Sequence, residues 1–226
     1  MFPSHDRMKW YYRKGKKVVK TVAPYVGLAY KAYSLASHVA GMLNTELKYN
    51  LVTFNVNPGT TSSITLLTGI AQGDQKTQRD GNSIRGRFIN FKYQWTINAS
   101  ASATICRIII FRDKSSDGTA PAVGELLDTA GQTVQNLSPY NTDNVGRFQV
   151  LHDRKYALSI NGTRTIAHSF NRKIGGGKRP IKTKFSATTG NQADVTINHY
   201  YVLLCSSEAT NTPTFDGTSV FRFVDN

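Results

Sequence analysis

The sequence predicts an all-β domain, a sandwich of two packed antiparallel sheets of the jelly-roll type, preceded by a basic N-terminal arm and a short helix. Two observations predict this fold. The spacing of apolar residues changes from helical to alternating near residue 45, and eight strand-like segments then follow, separated by turn-rich connections. Eight strands with long connections fit two packed sheets better than a meander. One domain plus an arm is the simpler interpretation of 226 residues.

The N-terminal arm is defined by its charge. Seven of the fourteen residues from Arg7 to Lys20 are Lys or Arg, and residues 1–45 carry eight basic side chains against one acidic side chain. This fifth of the chain therefore holds half of the net charge of +14. A block of like charge repels itself and buries little apolar surface, which is typical of an arm that lies against phosphates. The predicted partner is a nucleic acid.

Aromatic residues interrupt the basic residues of the arm. Basic side chains neutralise phosphates, and aromatic rings stack on unpaired bases at about 1–3 kcal/mol per base, so the mixture suits a single strand. Anchoring of the aromatic rings to the folded domain is the alternative. A nuclear import signal at Lys14–Lys17 is a further interpretation of the same residues. The predicted nucleic-acid-binding residues are Arg7, Lys9, Trp10, Tyr11, Tyr12, Arg13, Lys14, Lys16, Lys17 and Lys20.

Between the arm and the strands, apolar residues recur at helical spacing. The pattern predicts a helix over Pro24–Leu43, with Pro24 in its first turn. This helix is expected to cover the domain, and the alternative is an amphipathic segment that acts on membranes, because Lys31 and the arm flank it. The predicted division is an arm at 1–20, a helical linker at 21–45 and a β domain at 46–226.

The clearest strand is Ile84–Asn98, in which apolar residues such as Phe91, Tyr93 and Trp95 alternate with polar ones, as a sheet with one buried face requires. In the connection from Asp113 to Val145, the pattern indicates a short helix at Gly124–Ala130. The other predicted strands are Glu46–Val56, Thr104–Arg112, Gly146–Leu158 with a kink near His152, Thr163–Ile174, Pro180–Ala187, Asp194–Ser206 and Thr218–Val224, with Ile64–Ile70 as a ninth, edge piece.

A second basic run passes through three consecutive glycines. It does not fit a phosphate-binding loop, because Gly177-Lys178 is followed by Arg179 and not by Ser or Thr. Strand alternation would put Lys182 and Lys184 on one face, where they would contact nucleic acid or another polyanion, and a flexible exposed loop is the alternative. The same two interpretations, contact with a polyanion or exposure to solvent, apply to three further basic residues, Arg85, Arg87 and Lys92. The run itself comprises Arg172, Lys173, Lys178, Arg179, Lys182 and Lys184.

Sequence signatures of enzymes are not found, so a non-enzyme is predicted. The five histidines, His5, His38, His152, His168 and His199, show no metalloprotease spacing, and neither a serine-hydrolase elbow nor a Walker lysine occurs. No cofactor is predicted: Asp153, Asp194 and Asp216 are calcium candidates at subunit contacts, but their spacing forms no calcium loop. Cys106 and Cys205 are expected to be buried free thiols. Without a long apolar run or a signal-peptide pattern, the chain is expected to be soluble and unsecreted.

Several segments resemble a family of viral proteins. Glu46–Tyr49, Gln78–Ile84 and Gly86–Ile89 resemble the capsid proteins of small circular single-stranded DNA viruses, the circovirus-like group, and are similar to the capsid protein of satellite tobacco necrosis virus. Arg147–Tyr156 resembles the fifth strand of that family, and Ile197–Leu204 and Val220–Asp225 resemble its closing strands. The resemblance covers nearly all of residues 46–226.

The resemblance implies a structural capsid protein of the virion. It implies a single jelly roll that self-assembles as sixty copies into a T=1 icosahedral shell, with the basic arm facing inward on a single-stranded genome, and the host nucleus as a site of assembly. DNA is the first expectation. The arm is shorter and less Arg-rich than the circovirus pattern, so the capsid of a small satellite RNA virus is an alternative. A single-stranded nucleic-acid-binding β domain without a shell is another, and no host receptor is predicted.

Overall fold

The computed structural model describes residues 46–174 and 181–225, which form two antiparallel sheets packed face to face. The first sheet has, in spatial order, β1 (Lys48–Val56), β10 (Thr214–Asp225), β3 (Ser83–Thr96) and β6 (Thr165–Lys173). Two short strands, β7 (Lys182–Phe185) and β8 (Val195–Ile197), continue it beside the start of β3. The second sheet has the order β2 (Ser63–Leu66), β9 (His199–Ser206), β4 (Ala103–Asp113) and β5 (Phe148–Ser159).

This strand order is that of a jelly roll. Sequence neighbours such as β1 and β2, or β3 and β4, lie in opposite sheets, and the last strand, β10, lies between β1 and β3. The all-β, jelly-roll prediction is therefore confirmed. The ninth piece near Ile64 is a strand, β2, at the edge of the second sheet.

The predicted strand Asp194–Ser206 is two strands in different sheets. Asn198 has a φ of 61° and separates β8 from β9. Asn is one of the few non-glycine residues that tolerate the left-handed region, so it allows the chain to turn sharply between the sheets. Its side-chain amide donates to the backbone oxygen of Lys182 at 2.9 Å, which fixes the turn against β7.

Aromatic residues fill the space between the sheets. Alternate residues of β3 point inward and meet inward residues of β10, with the ring centroids of Trp95 and Phe215 4.7 Å apart. The second sheet contributes Ile108, Ile110 and other fully buried aliphatic side chains to the same cluster. Cys106 lies in this cluster, and Cys205 lies on the opposite face of the second sheet. Both are buried free thiols, as expected, and burial raises the pKa of Cys106 to about 12.

The second sheet is covered on its other face as well. The connection between β4 and β5 crosses this face and forms a second apolar cluster, in which Leu126 and Leu127 pack with Ile109, Phe111 and Tyr201 of the sheet. The helix predicted at Gly124–Ala130 is shorter and lies earlier, as the single turn α1 (Val123–Leu126). The backbone of Leu127 turns to an extended conformation, which ends the helix there.

Two arginine–carboxylate pairs hold this connection on the sheet. Arg107 of β4 is 3% exposed and binds both carboxylate oxygens of Asp153, at 3.0 and 2.8 Å, while it also donates to the backbone oxygen of Ser138 at 2.7 Å. Tyr140 donates to the same carboxylate. Arg147 similarly binds Asp113 at 3.1 and 2.9 Å. Bidentate pairs of this kind are directional and strong. The pair with Asp153 of β5 therefore orients Arg107 toward Ser138 of the connection, and the pair with Asp113 ties Arg147, at the end of the connection, to β4.

Removal of one partner of the buried pair is expected to destabilise the domain. In Asp153→Asn the Arg107 guanidinium stays buried without its counter-charge, and loss of a buried partner typically costs about 3–5 kcal/mol. Urea-induced unfolding of the unassembled protein measures this loss. The control Asp143→Asn changes an exposed carboxylate of the same connection and is expected to stay within about 0.5 kcal/mol of wild type. A loss below about 1 kcal/mol for Asp153→Asn would contradict the role assigned to the pair.

Candidate nucleic-acid interface

The outward face of the first sheet carries the candidate interface. Inward residues of β3 such as Ile89 and Phe91 are fully buried, whereas the residues between them point away from the core. On β10, Phe221 and Phe223 point inward, so Arg222 points outward beside Phe88 of β3. In this way the buried aromatic residues of the core determine which polar residues share the outer face.

Basic residues are concentrated at one end of this face. The strand pairing places Arg222 and Lys173 on either side of Phe88, Lys182 opposite Arg85, and Lys184 opposite Ser83. Across the strands that the structure describes, the outward basic residues are Arg85, Lys92, Lys173, Lys182, Lys184 and Arg222. Asp216 is the outward acidic residue on those strands, and it lies at the other end of the sheet opposite Gln94. The basic end is therefore suited to bind a polyanion.

A bulge adds one more basic residue to this end. The pairing of β3 with β10 shifts between Arg222 and Phe223, which leaves Arg87 as the extra residue of β3. Gly86 precedes it and faces inward, where a Cβ atom would lie 2.9 Å from Cζ of Phe221 and 2.8 Å from Cδ1 of Ile174. A side chain at position 86 would therefore displace the core below the bulge.

A buried arginine holds the basic end together. Arg79 is fully buried and donates to the backbone oxygens of Ile70, at 3.0 Å, and of Gly81 and Ala187. Its guanidinium lies 4.2 Å from the ring centroid of Phe185. These contacts tie the loop before β3 to the segment after β7, so that the lysines of β7 stay beside Arg85.

Lys48, in contrast, does not add to the basic surface. Its side chain is buried and pairs with Asp80 and with Asp225, the latter at 2.9 Å. Burial disfavours the ammonium charge, but the two carboxylates more than offset this and raise the pKa of Lys48 above its ordinary value. Lys48 therefore joins β1 to the loop before β3 and to the end of β10.

The predicted site residues fall into three groups. The ten arm residues from Arg7 to Lys20 lie outside the described residues, as do Lys178, Arg179 and the predicted helix at Pro24–Leu43. Lys173, Lys182 and Lys184 lie on the basic face, together with Arg85 and Lys92. Arg172 differs from these residues: it is exposed, but it lies opposite the inward residue Ile89 and donates to the backbone oxygen of Leu151 at 2.9 Å. It connects the two sheets and does not belong to the outward face.

Arg222 was not among the site residues predicted from the sequence. The signal was present, because Phe221 and Phe223 flank it in a predicted strand and alternation then requires an outward arginine. Its neighbours on the face, however, come from strands far away in sequence. Tyr49 and Phe88 were missed as outward aromatic residues for the same reason.

His199 and the three calcium candidates have structural contacts. His199 is fully buried, with Nδ1 3.0 Å from Oγ1 of Thr68 and Nε2 2.7 Å from the backbone oxygen of Lys184, and burial lowers its pKa to about 4. Asp153 binds Arg107, Asp194 accepts from Thr189 at 2.6 Å and Asp216 accepts from Asn55 at 3.0 Å. Within residues 46–174 and 181–225, no group of three metal-ligating side chains forms a metal site, and no helix is long and apolar enough to cross a membrane.

Comparisons with known proteins identify relatives. The family model described as satellite tobacco necrosis virus coat protein matches residues 31–226. The capsid protein of Satellite tobacco necrosis virus 1 is 33% identical over 131 residues, which cover 55% of this chain and 63% of the relative. The coat protein of Satellite tobacco necrosis virus 2 is 33% identical over 141 residues, 60% of this chain and 68% of the relative. The match thus spans less than two thirds of the first relative.

Solved structures with a similar arrangement include those of two plant viruses. The structure of tobacco necrosis virus has a TM-score of 0.39 at 10% identity and covers 80% of this chain and 95% of its own. That of Desmodium yellow mottle tymovirus has a TM-score of 0.35 at 10% identity, with coverage of 80% and 88%. At these values the fold assignment rests on the strand order itself.

The basic face is expected to bind single-stranded nucleic acid through phosphate contacts. Each contact releases counterions, so log K falls as log salt concentration rises. In the triple variant K173Q/K182Q/K184Q this negative slope should become shallower by up to about 2. Fluorescence anisotropy with a labelled oligouridylate of about 30 nucleotides measures this slope. The control K114Q/R154Q/K155Q removes the same charge from exposed positions on or directly after strands of the second sheet. Equal changes in the two variants would mean that net charge, and not the face, governs binding.

Proposed function

We propose that this chain, which belongs to the satellite tobacco necrosis virus coat protein family, builds an icosahedral shell around a single-stranded genome. The family consists of structural coat proteins, so the chain is a viral capsid component of the virion and not an enzyme. Sixty copies per shell and residence in the host nucleus are part of the proposal. The proposed division of the chain is a packaging arm at 1–20, a linker at 21–45 and a shell-forming domain at 46–226.

The family match changes the expected genome. The first expectation was a circular single-stranded DNA virus, and that assignment is not supported, because the matching relatives are coat proteins of satellite tobacco necrosis viruses. The match favours the satellite RNA virus alternative. We therefore propose RNA as the packaged nucleic acid.

The observation that carries the packaging role is the basic end of the first sheet. Lys173, Lys182, Lys184 and Arg222 are exposed there, on strands β6, β7 and β10. These side chains would neutralise genome phosphates in addition to those that the arm contacts. Sixty copies with a net charge of +14 each would carry about 840 positive charges. That would neutralise a large fraction of the phosphate charge of a genome of roughly a thousand nucleotides.

Assembly and packaging can be tested on one pair of proteins. Recombinant full-length chain should form uniform particles in negative-stain microscopy and light scattering. Deletion of residues 1–20 removes the seven Lys and Arg side chains of the arm, so particles should persist while nuclease-protected nucleic acid is largely lost. Extraction of native particles should give nucleic acid that ribonuclease digests.

Three outcomes would contradict the parts of the proposal separately. A monomer at all ionic strengths would contradict the shell and favour a nucleic-acid-binding domain without a shell. Unchanged nucleic-acid content after the deletion would contradict the packaging role of the arm. Protected nucleic acid that resists ribonuclease and is digested by deoxyribonuclease would contradict the RNA assignment.

A further inference from the structure

One row of residues crosses the outward face of the first sheet with alternating chemistry. The pairing of four neighbouring strands aligns Tyr49 with Arg222, Arg222 with Phe88, and Phe88 with Lys173. Directly paired residues in an antiparallel sheet point to the same side, so these four side chains lie on one surface. The row therefore reads aromatic, basic, aromatic, basic across the sheet.

Both aromatic rings of this row are exposed. Tyr49 is 41% exposed and Phe88 is 37% exposed, although the sheet buries most of its other aromatic rings, such as Phe221 and Phe91, in the core. Beside Tyr49, a groove of about 360 Å³ is lined by Leu47, Lys48, Tyr49, Leu51, Val220 and Arg222. Exposed apolar surface of this kind usually marks a site of interaction.

We propose that this row is a base-stacking platform for single-stranded nucleic acid. Tyr49 and Phe88 each receive one unpaired base on the ring, while Arg222, between them, and Lys173 contact the phosphates. Adjacent strands lie about 4.8 Å apart, so the two rings are separated by about 10 Å, a distance that successive or next-but-one nucleotides of an extended strand span. Rings stack on any base, so the platform binds without sequence preference.

The charge around the rings favours nucleic acid over a second copy of the chain. Lys173, Lys182 and Arg222 surround Phe88, and two copies that met through the same face would bring these cations together. A polyanion with apolar bases complements both the charge and the rings. The next row of the face adds Asn90 paired with Asn171, whose amides carry the donors and acceptors that base edges need.

The platform proposal rests on the proposed packaging function, but it leads to a separate prediction about single strands. Phosphate contacts alone bind single strands and duplexes alike, whereas stacking requires bases that are not paired in a duplex. The platform therefore predicts a preference for single strands that the basic residues by themselves do not explain.

The double variant Y49L/F88L tests the platform in the full-length chain, since leucine keeps the apolar surface but cannot stack. The two probes are a fluorescein-labelled oligouridylate of about 20 nucleotides and a 20-base-pair RNA duplex, titrated below the concentration at which particles form. Loss of stacking should weaken single-strand binding about tenfold or more, with the salt slope and duplex affinity unchanged. The control L137A/V145A alters two exposed apolar residues of the connection on the other sheet and should bind as wild type.

The possible failures are distinguishable. Unchanged single-strand affinity in Y49L/F88L, or an equal loss for both probes, overturns the platform while the packaging proposal stands. Unchanged affinity together with loss of particle formation assigns the face to contact with a second copy and also overturns the platform. Wild-type protein that binds neither probe contradicts the packaging function itself.

Discussion

The architecture depends on how the second sheet is buried. Arg107, which is paired with Asp153 of the neighbouring strand, donates to the backbone of the long connection at Asn136 and Ser138. Together with the Arg147–Asp113 pair, these contacts hold the connection against the face that this sheet turns away from the core. That sheet is therefore covered on both sides, by the core and by the connection. The first sheet packs its aromatic residues inward and leaves its other face to solvent over much of β1, β3 and β10. A face that does not have to be buried is free to carry charge.

The charge on that face follows from the same alternation that builds the core. Every inward aromatic residue of β3 and β10 places a neighbour outward, and the pairing of the strands then collects arginines and lysines from β3, β6, β7 and β10 at one end. The bulge at Arg87 and the buried Arg79 hold this end in place. Phosphates suit such a surface, and the exposed rings of Tyr49 and Phe88 extend the same surface toward unpaired bases.

Much of the fold was predictable, because its signals are local. The alternation in Ile84–Asn98 predicted β3 and its buried face, and strand-like segments predicted two sheets. The site was less predictable. Lys182 and Lys184 followed from alternation, but the position of Arg172 depends on the register in which β6 pairs with β3, which places it opposite the inward residue Ile89. The row from Tyr49 to Lys173 depends on the pairing of four strands that are far apart in the sequence, which no local pattern contains.

The orientation of the domain in the shell is the central claim, and a cryo-electron microscopy reconstruction of nucleic-acid-containing particles tests it most directly. The account predicts that the outward face of the first sheet lines the interior, with Arg222, Lys182 and Lys184 next to nucleic-acid density. A reconstruction in which this face lies on the outer surface of the particle, or is buried between subunits away from nucleic acid, would contradict the account.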